Sequence, residues 1–69
     1  MDESPELRLL FHRLNNQLGI ILAHAELLEA KATDDTQRAR AAQVVASALE
    51  AMTTTKELRA KTVIEPSTT

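Results

Sequence analysis

The sequence predicts an all-α fold, an antiparallel helical hairpin that dimerises into a four-helix bundle, and three observations carry that expectation. The hydrophobic share of 43% is mostly Ala and Leu, with one Gly and an aromatic share of 1% that Phe11 supplies alone. Sheets draw on β-branched and aromatic side chains, so a sandwich or barrel is a poor fit. Leu7, Phe11, Leu14, Leu18, Ile21, Ala25, Leu28 and Ala32 recur at alternating spacings of four and three, the seam of a left-handed bundle. The polar break Lys31-Ala32-Thr33-Asp34-Asp35-Thr36 is short, and a short connection makes consecutive helices antiparallel neighbours.

Met1, Asp2 and Glu3 are expected to fray, and Ser4-Pro5-Glu6 then reads as a helix start. It offers a capping hydroxyl, a proline for the first helical position and an acid for the first turn. Helix one is expected over residues 5–32. On its register Leu10 and Leu22 widen the seam, while His12, Gly19 and Glu26, seven residues apart, share a flank that points away from its centre. His12 is therefore expected to be exposed. Gly19 costs about 1 kcal/mol relative to Ala in a helix interior, so it is either slack or a place where a partner's backbone comes close.

Lys31 puts a cation in the last turn of helix one, and Thr33 or Asp34 can cap a second helix. With Asp34 as cap, Gln37 stands at the capping-box position. Helix two is expected over residues 35–61, with Ala42, Val45, Leu49 and Met52 as its seam and Val44, Ala48 and Ala51 broadening it. Thr53-Thr54-Thr55-Lys56 then lies at the level of His12. Residues 62–69, which include Pro66 and several hydroxyl side chains, are expected to form a tail.

A chain of 69 residues is one small domain, and below about 70–80 residues a single core rarely supplies more than roughly 3–5 kcal/mol. The sequence has no cysteine and no clustered metal ligands, which leaves oligomerisation as the supplement. A hairpin gives each helix one neighbour, too few to cover Leu10, Ile20, Leu22, Leu27, Val44 and Val45 besides the seam. A homodimer is the economical solution. A net charge of −2 offers no basic surface for nucleic acid, and no ring is available for base stacking. The longest uncharged stretch, residues 14–23, is interrupted by Asn15, Asn16 and Gln17 and falls short of the roughly 20 apolar residues of a membrane span. The acidic start is unlike a secretory signal, so a cytoplasmic location is expected.

The pointed chemistry is confined to His12-Arg13-Leu14-Asn15-Asn16. A helix sets His12 and Asn16 one turn apart on one face. The string His12-Arg13-Leu14-Asn15-Asn16-Gln17-Leu18, followed by Ile21-Leu22-Ala23-His24-Ala25-Glu26-Leu27-Leu28, resembles the H-box helix of the dimerisation and histidine phosphotransfer (DHp, HisKA-like) domain of bacterial sensor histidine kinases. The close subgroup of that family reads H-D-x-N-N-x-L and then I-L-x-x-A-E-L-L. The detailed match spans residues 11–29, and the hairpin layout extends it loosely to residue 61.

The resemblance implies a homodimeric bundle in which His12 carries phosphate on a ring nitrogen and exchanges it with an aspartate of a response-regulator receiver domain. Imidazole suits that step, because histidine is among the side chains that form covalent intermediates in group transfer. The resemblance implies for Asn16 the orientation of water for dephosphorylating the receiver. No cofactor is expected in this chain, and magnesium is expected on the partner receiver. A histidine kinase catalytic domain is a further possible partner.

Two features depart from the family. The acid that usually follows the histidine is here Arg13, which can reach around His12 and pair with phosphoryl oxygens. No glycine-rich or acidic nucleotide motif occurs in the chain, so it is not expected to act alone as an ATP-dependent kinase. Each residue also has a plainer reading: His12 and Asn16 as polar residues of a helix face, Asn15 as an interhelical hydrogen-bonding residue, and His24 as a bundle flank. Thr53, Thr54 and Thr55 read as hydroxyls facing the histidine level. The alternative function is a non-catalytic helical dimerisation or adaptor module that has lost the chemistry, and Arg13 is the feature that favours it.

Overall fold

The computed structural model describes residues 4–62. Two helices, α1 over Pro5–Lys31 and α2 over Asp35–Thr62, pack side by side as an antiparallel hairpin. No strand occurs among the described residues. The fold is the all-α hairpin that the sequence predicts.

Both helices start on local chemistry. Ser4 sits in extended backbone (φ −65°, ψ 155°) and its Oγ accepts the Leu7 N–H at 3.0 Å, with Pro5 following and Glu6 in the first turn. Asp34 caps α2, its Oδ1 accepting the Gln37 N–H at 2.7 Å. Gln37 closes the motif differently from a capping box, since its Oε1 accepts the Thr33 hydroxyl at 3.5 Å. At the end of α1, Ala32 turns to extended backbone (ψ 137°) and its N–H donates to the Glu29 carbonyl at 3.3 Å. Arg38 of α2 reaches back to the Ala32 carbonyl at 3.2 Å and pairs with Asp35 at 3.2 Å. That clasp satisfies one of the carbonyls a helix end leaves open. The expected tail lies outside the described residues except for Thr62, which belongs to α2.

The hairpin's seam differs from the predicted one on both helices. On α1, Phe11 and Ala25 are buried and Leu7, Leu18, Leu22 and Glu29 half-buried, as is Ala32 just past its end, while Leu14, Ile21 and Leu28 are 38, 48 and 67% exposed. On α2 the buried residues are Ala41, Ala48 and Thr55, with Val45 and Met52 half-buried between them. The expected seam positions Ala42 and Leu49 are half-buried and exposed respectively. The reason is steric and geometric. The apolar stripe of α1 is wider than one neighbouring helix covers, and the contact centres where small side chains of α2 admit large ones of α1. Phe11 and Thr55 line a common cleft, and antiparallel pairing from there sets Leu18 against Ala48 and Ala25 against Ala41. Thr55 is satisfied within its own helix, its hydroxyl donating to the Ala51 carbonyl at 2.8 Å. Thr53 and Thr54 are exposed, so of the three only Thr55 faces the seam.

The molecule measures 52 × 22 × 10 Å with a radius of gyration of 16.1 Å, where a compact chain of this length would have about 11 Å. It is a slab one helix thick, and its two broad faces differ. Leu14 and Asn15, adjacent in sequence, fall on opposite sides of the line from Phe11 to Leu18. Leu28 of α1 and Val44 of α2 line one cleft, and residues seven apart share a face. Leu10, Leu14, Ile21 and Leu28 therefore join Val44, Ala51 and Leu58 on one broad face. His12, Asn15, Gly19, Leu49 and Lys56 belong to the other. A third set, Leu9, Ile20 and Leu27, is 52–59% exposed on the edge of α1 away from α2. No described helix is long and apolar enough to cross a membrane.

Candidate functional site

His12 is exposed, as its flank position predicts, and stands two turns into α1 at the open end of the hairpin, far from the connector. It lies between two clefts. The first is lined by Pro5, Arg8, Leu9, His12 and Arg59. The second is lined by Phe11, His12, Asn15, Thr55, Lys56 and Arg59. Among the described residues, only His12 from α1 and Arg59 from α2 line both.

The rigidity of this arrangement comes from the seam beneath it. Phe11, the residue before His12, is 6% exposed and packs at the level of Thr55, which anchors this turn of α1 against α2. The flank beyond is open, since a Cβ added at Gly19 would meet nothing within 4 Å.

The charged residues described as lining the clefts beside His12 are cations. Arg8 stands one turn before His12 on α1, while Lys56 and Arg59 come from one turn of α2, and among the described residues no carboxylate lines either cleft. Over residues 4–13 and 53–62 there are five cations (Arg8, Arg13, Lys56, Arg59, Lys61) and two acids (Glu6, Glu57).

Of the other residues singled out in the sequence, Asn15 shares the second cleft with His12. It makes no hydrogen bond across the hairpin. Arg13 and Asn16 are exposed and line neither cleft. His24 is exposed three turns further along α1. No group of three or more His, Cys, Asp or Glu side chains suited to a metal occurs among the described residues. Sequence reasoning missed Arg8, Lys56 and Arg59. Arg8 could have been found, since it lies four residues before His12 and so shares its face. Lys56 and Arg59 meet the histidine only through the register of the hairpin, which spacing along one helix does not report.

Comparisons with protein-family models, curated proteins and solved structures gave no match to this chain.

Proposed function

We propose that the chain is a histidine phosphotransfer and dimerisation module of a two-component phosphorelay, with His12 as the phosphoacceptor. The observation that carries this reading is the setting of His12: an exposed imidazole on an anchored helical turn, between two open clefts that Arg8, Lys56 and Arg59 help to line. The H-box-like string around it adds the resemblance to the histidine kinase hairpin.

In the transfer step an unprotonated ring nitrogen of His12 attacks the phosphorus of a receiver's aspartyl phosphate. The nitrogen–phosphorus bond forms as the bond to the aspartate oxygen breaks, and the carboxylate leaves with the electron pair. The other ring nitrogen keeps its proton or gives it to water. Transfer of this kind depends mainly on positioning and charge neutralisation, and the receiver's magnesium supplies part of the latter. An exposed acceptor lets the receiver close over it.

The same reading includes a second copy of the chain on the apolar broad face. That face carries Leu10, Leu14, Ile21, Leu28, Val44 and Leu58, all 38–67% exposed in the hairpin. Its extent within a 52 × 22 Å slab is of the order of the roughly 800 Å² per partner that a standard interface uses. His12 lies on the opposite broad face and stays accessible in such a four-helix bundle.

The test is incubation of the protein with a panel of phosphorylated receivers. Acid-labile label is expected on the wild-type chain and not on His12→Gln, and no label is expected with ATP alone. Absence of label with every receiver, or label that persists in His12→Gln, overturns the assignment. In that event the non-catalytic dimerisation reading takes its place, supported by Arg13 at the position of the family's acid.

A further inference from the structure

We infer that the outer edge of α1, with Leu9, Ile20 and Leu27, is a docking surface for the outer edge of α2 of another copy of this chain, so that hairpins join side by side. The inference stands apart from the phosphotransfer reading and from the second copy on the apolar broad face. Leu9, Ile20 and Leu27 each precede a residue of that face, Leu10, Ile21 and Leu28, and so project about 100° away from it. A copy on the broad face therefore leaves them open, as α2 does, at 52–59% exposure.

The two edges correspond in position. Leu9, Ile20 and Leu27 each stand two residues from a seam position of α1 (Phe11, Leu18, Ala25), which is about 160° round a helix. On α2 the residues placed in the same way against the buried Ala41, Ala48 and Thr55 are Ala39, Ala46, Glu50 and Glu57, all exposed. Within the hairpin Leu18 is level with Ala48 and Ala25 with Ala41. A neighbour set alongside in the same orientation keeps those levels, and so brings its Ala46 to Ile20 and its Ala39 to Leu27. Large side chains on one edge meet alanines on the other at the same seven-residue spacing, which lets the ridge of α1 enter the groove of α2. Ala39 lies in a shallow surface cleft with Asp35 and Gln43.

Charge complementarity selects this occupant. The α1 edge carries Arg13 and Lys31, and the α2 edge carries Glu50 and Glu57, with Asp35 at its start. In the side-by-side register Arg13 falls between Glu50 and Glu57, and Lys31 comes level with Asp35, whose Oδ1 holds Arg38 and leaves Oδ2 to a second cation. At the open end both signs reverse, with Glu6 on α1 near the level of Lys61 on α2. Arg13, Lys31, Glu50 and Glu57 make no ion pair or hydrogen bond among the described residues. Residues 1–3 and 63–69 hold no Lys or Arg side chain that could neutralise the glutamates. Lys31 lies about 40 Å from the open end at 1.5 Å per residue, and seven extended residues span at most about 25 Å, so the acids of those segments do not reach it. The contact joins two different edges, so repetition extends a row of hairpins rather than closing a pair.

The experiment exploits a chain without cysteine. Ile20→Cys and Ala46→Cys chains are mixed under mild oxidation at about 1 mM, because the edge is narrower than the roughly 800 Å² per partner of a standard interface. Their mixed disulfide is expected to form about tenfold faster than that of Ile20→Cys with Ala39→Cys, a pair displaced by about 10 Å and so beyond disulfide reach. Leu27→Cys with Ala39→Cys should match the fast pair. Adding Glu50→Arg and Glu57→Arg to the Ala46→Cys chain should slow the fast pair by about threefold at low salt, and Arg13→Glu in the Ile20→Cys chain should restore the rate. Helicity measured on each variant confirms that the hairpin persists. Equal rates for the matched and displaced pairs overturn the proposal, as do homodisulfides of Ile20→Cys that outrun the mixed product. A matched pair indifferent to the charge reversal removes the α2 edge as the occupant.

Discussion

Replacing Gly19 by Ala is expected to stabilise the protein by about 1 kcal/mol per chain, and the reasoning can be followed step by step. Gly19 sits in the middle of α1 with a negative φ, so an alanine fits the backbone without strain. A glycine in a helix interior costs about 1 kcal/mol relative to alanine, through the extra backbone freedom it loses on folding. Beyond its chain neighbours and the backbone of its own turn, the new methyl would meet no described heavy atom within 4 Å. It therefore gains no packing and meets no clash, and the propensity difference is left as the whole effect. In a domain of this size that corresponds to a rise in Tm of roughly 4–8 °C. Urea unfolding followed by far-UV circular dichroism should show a higher midpoint with an unchanged slope. Protein concentration must be held constant, because the midpoint of a dimer depends on it. An overpacked contact costs about 1–3 kcal/mol, enough to reverse the sign. A lower midpoint in Gly19→Ala, growing with protein concentration, would mean that another backbone lies against the flank that carries His12. The open-face reasoning would then be refuted.

Phe11→Ala removes the one ring of the core, which is 6% exposed, at a cost of about 3 kcal/mol. That is comparable to the whole stability of so small a core, so helicity at room temperature should fall steeply, with Phe11→Leu recovering most of it. If a second copy covers the apolar broad face as proposed, Ile21→Glu there should give a monomer by light scattering, whereas Leu49→Glu, on the opposite face, should not. The two residues are 48 and 50% exposed, so equal behaviour would rule out a face-specific interface. Ser4→Ala should cost about 1 kcal/mol and speed amide exchange at Leu7, whose N–H the serine accepts; unchanged exchange there would dismiss the cap.

The helix boundaries were legible because their determinants are local. Ser4 with Pro5 and Asp34 with Gln37 act within four residues of sequence, and both caps form with the geometry expected of those side chains. The exposure of His12 was legible for a similar reason, since its flank is set by the period of α1 alone. The partition of apolar residues between the seam and the outer face was not. Leu14, Ile21 and Leu28 fit the same heptad as Phe11 and Ala25, and only the position of α2 decides which of them it covers. The register of α2 was obscured by its alanines, because Ala41 and Ala42, or Ala48 and Ala51, are equivalent in hydrophobicity and differ only in direction. Lys56 and Arg59 were invisible as neighbours of His12 because that proximity exists only once the seam is in register.

Arg38 clasps the connector by bonding the Ala32 carbonyl and pairing with Asp35, and this makes the hairpin a pair of tongs closed at the end remote from the histidine. His12 stands about 30 Å from that closure at 1.5 Å per residue. A change of about 5° in the angle between the helices, pivoting at the connector, would shift Arg59 relative to His12 by about 2.6 Å, nearly the length of a hydrogen bond. Such a change is small beside the roughly 15–20° over which helix packing angles scatter. The leverage means that the charge felt at the imidazole is tuned by side chains that never approach it. A bulkier residue at Ala48, halfway along the jaws, would open them at the tip.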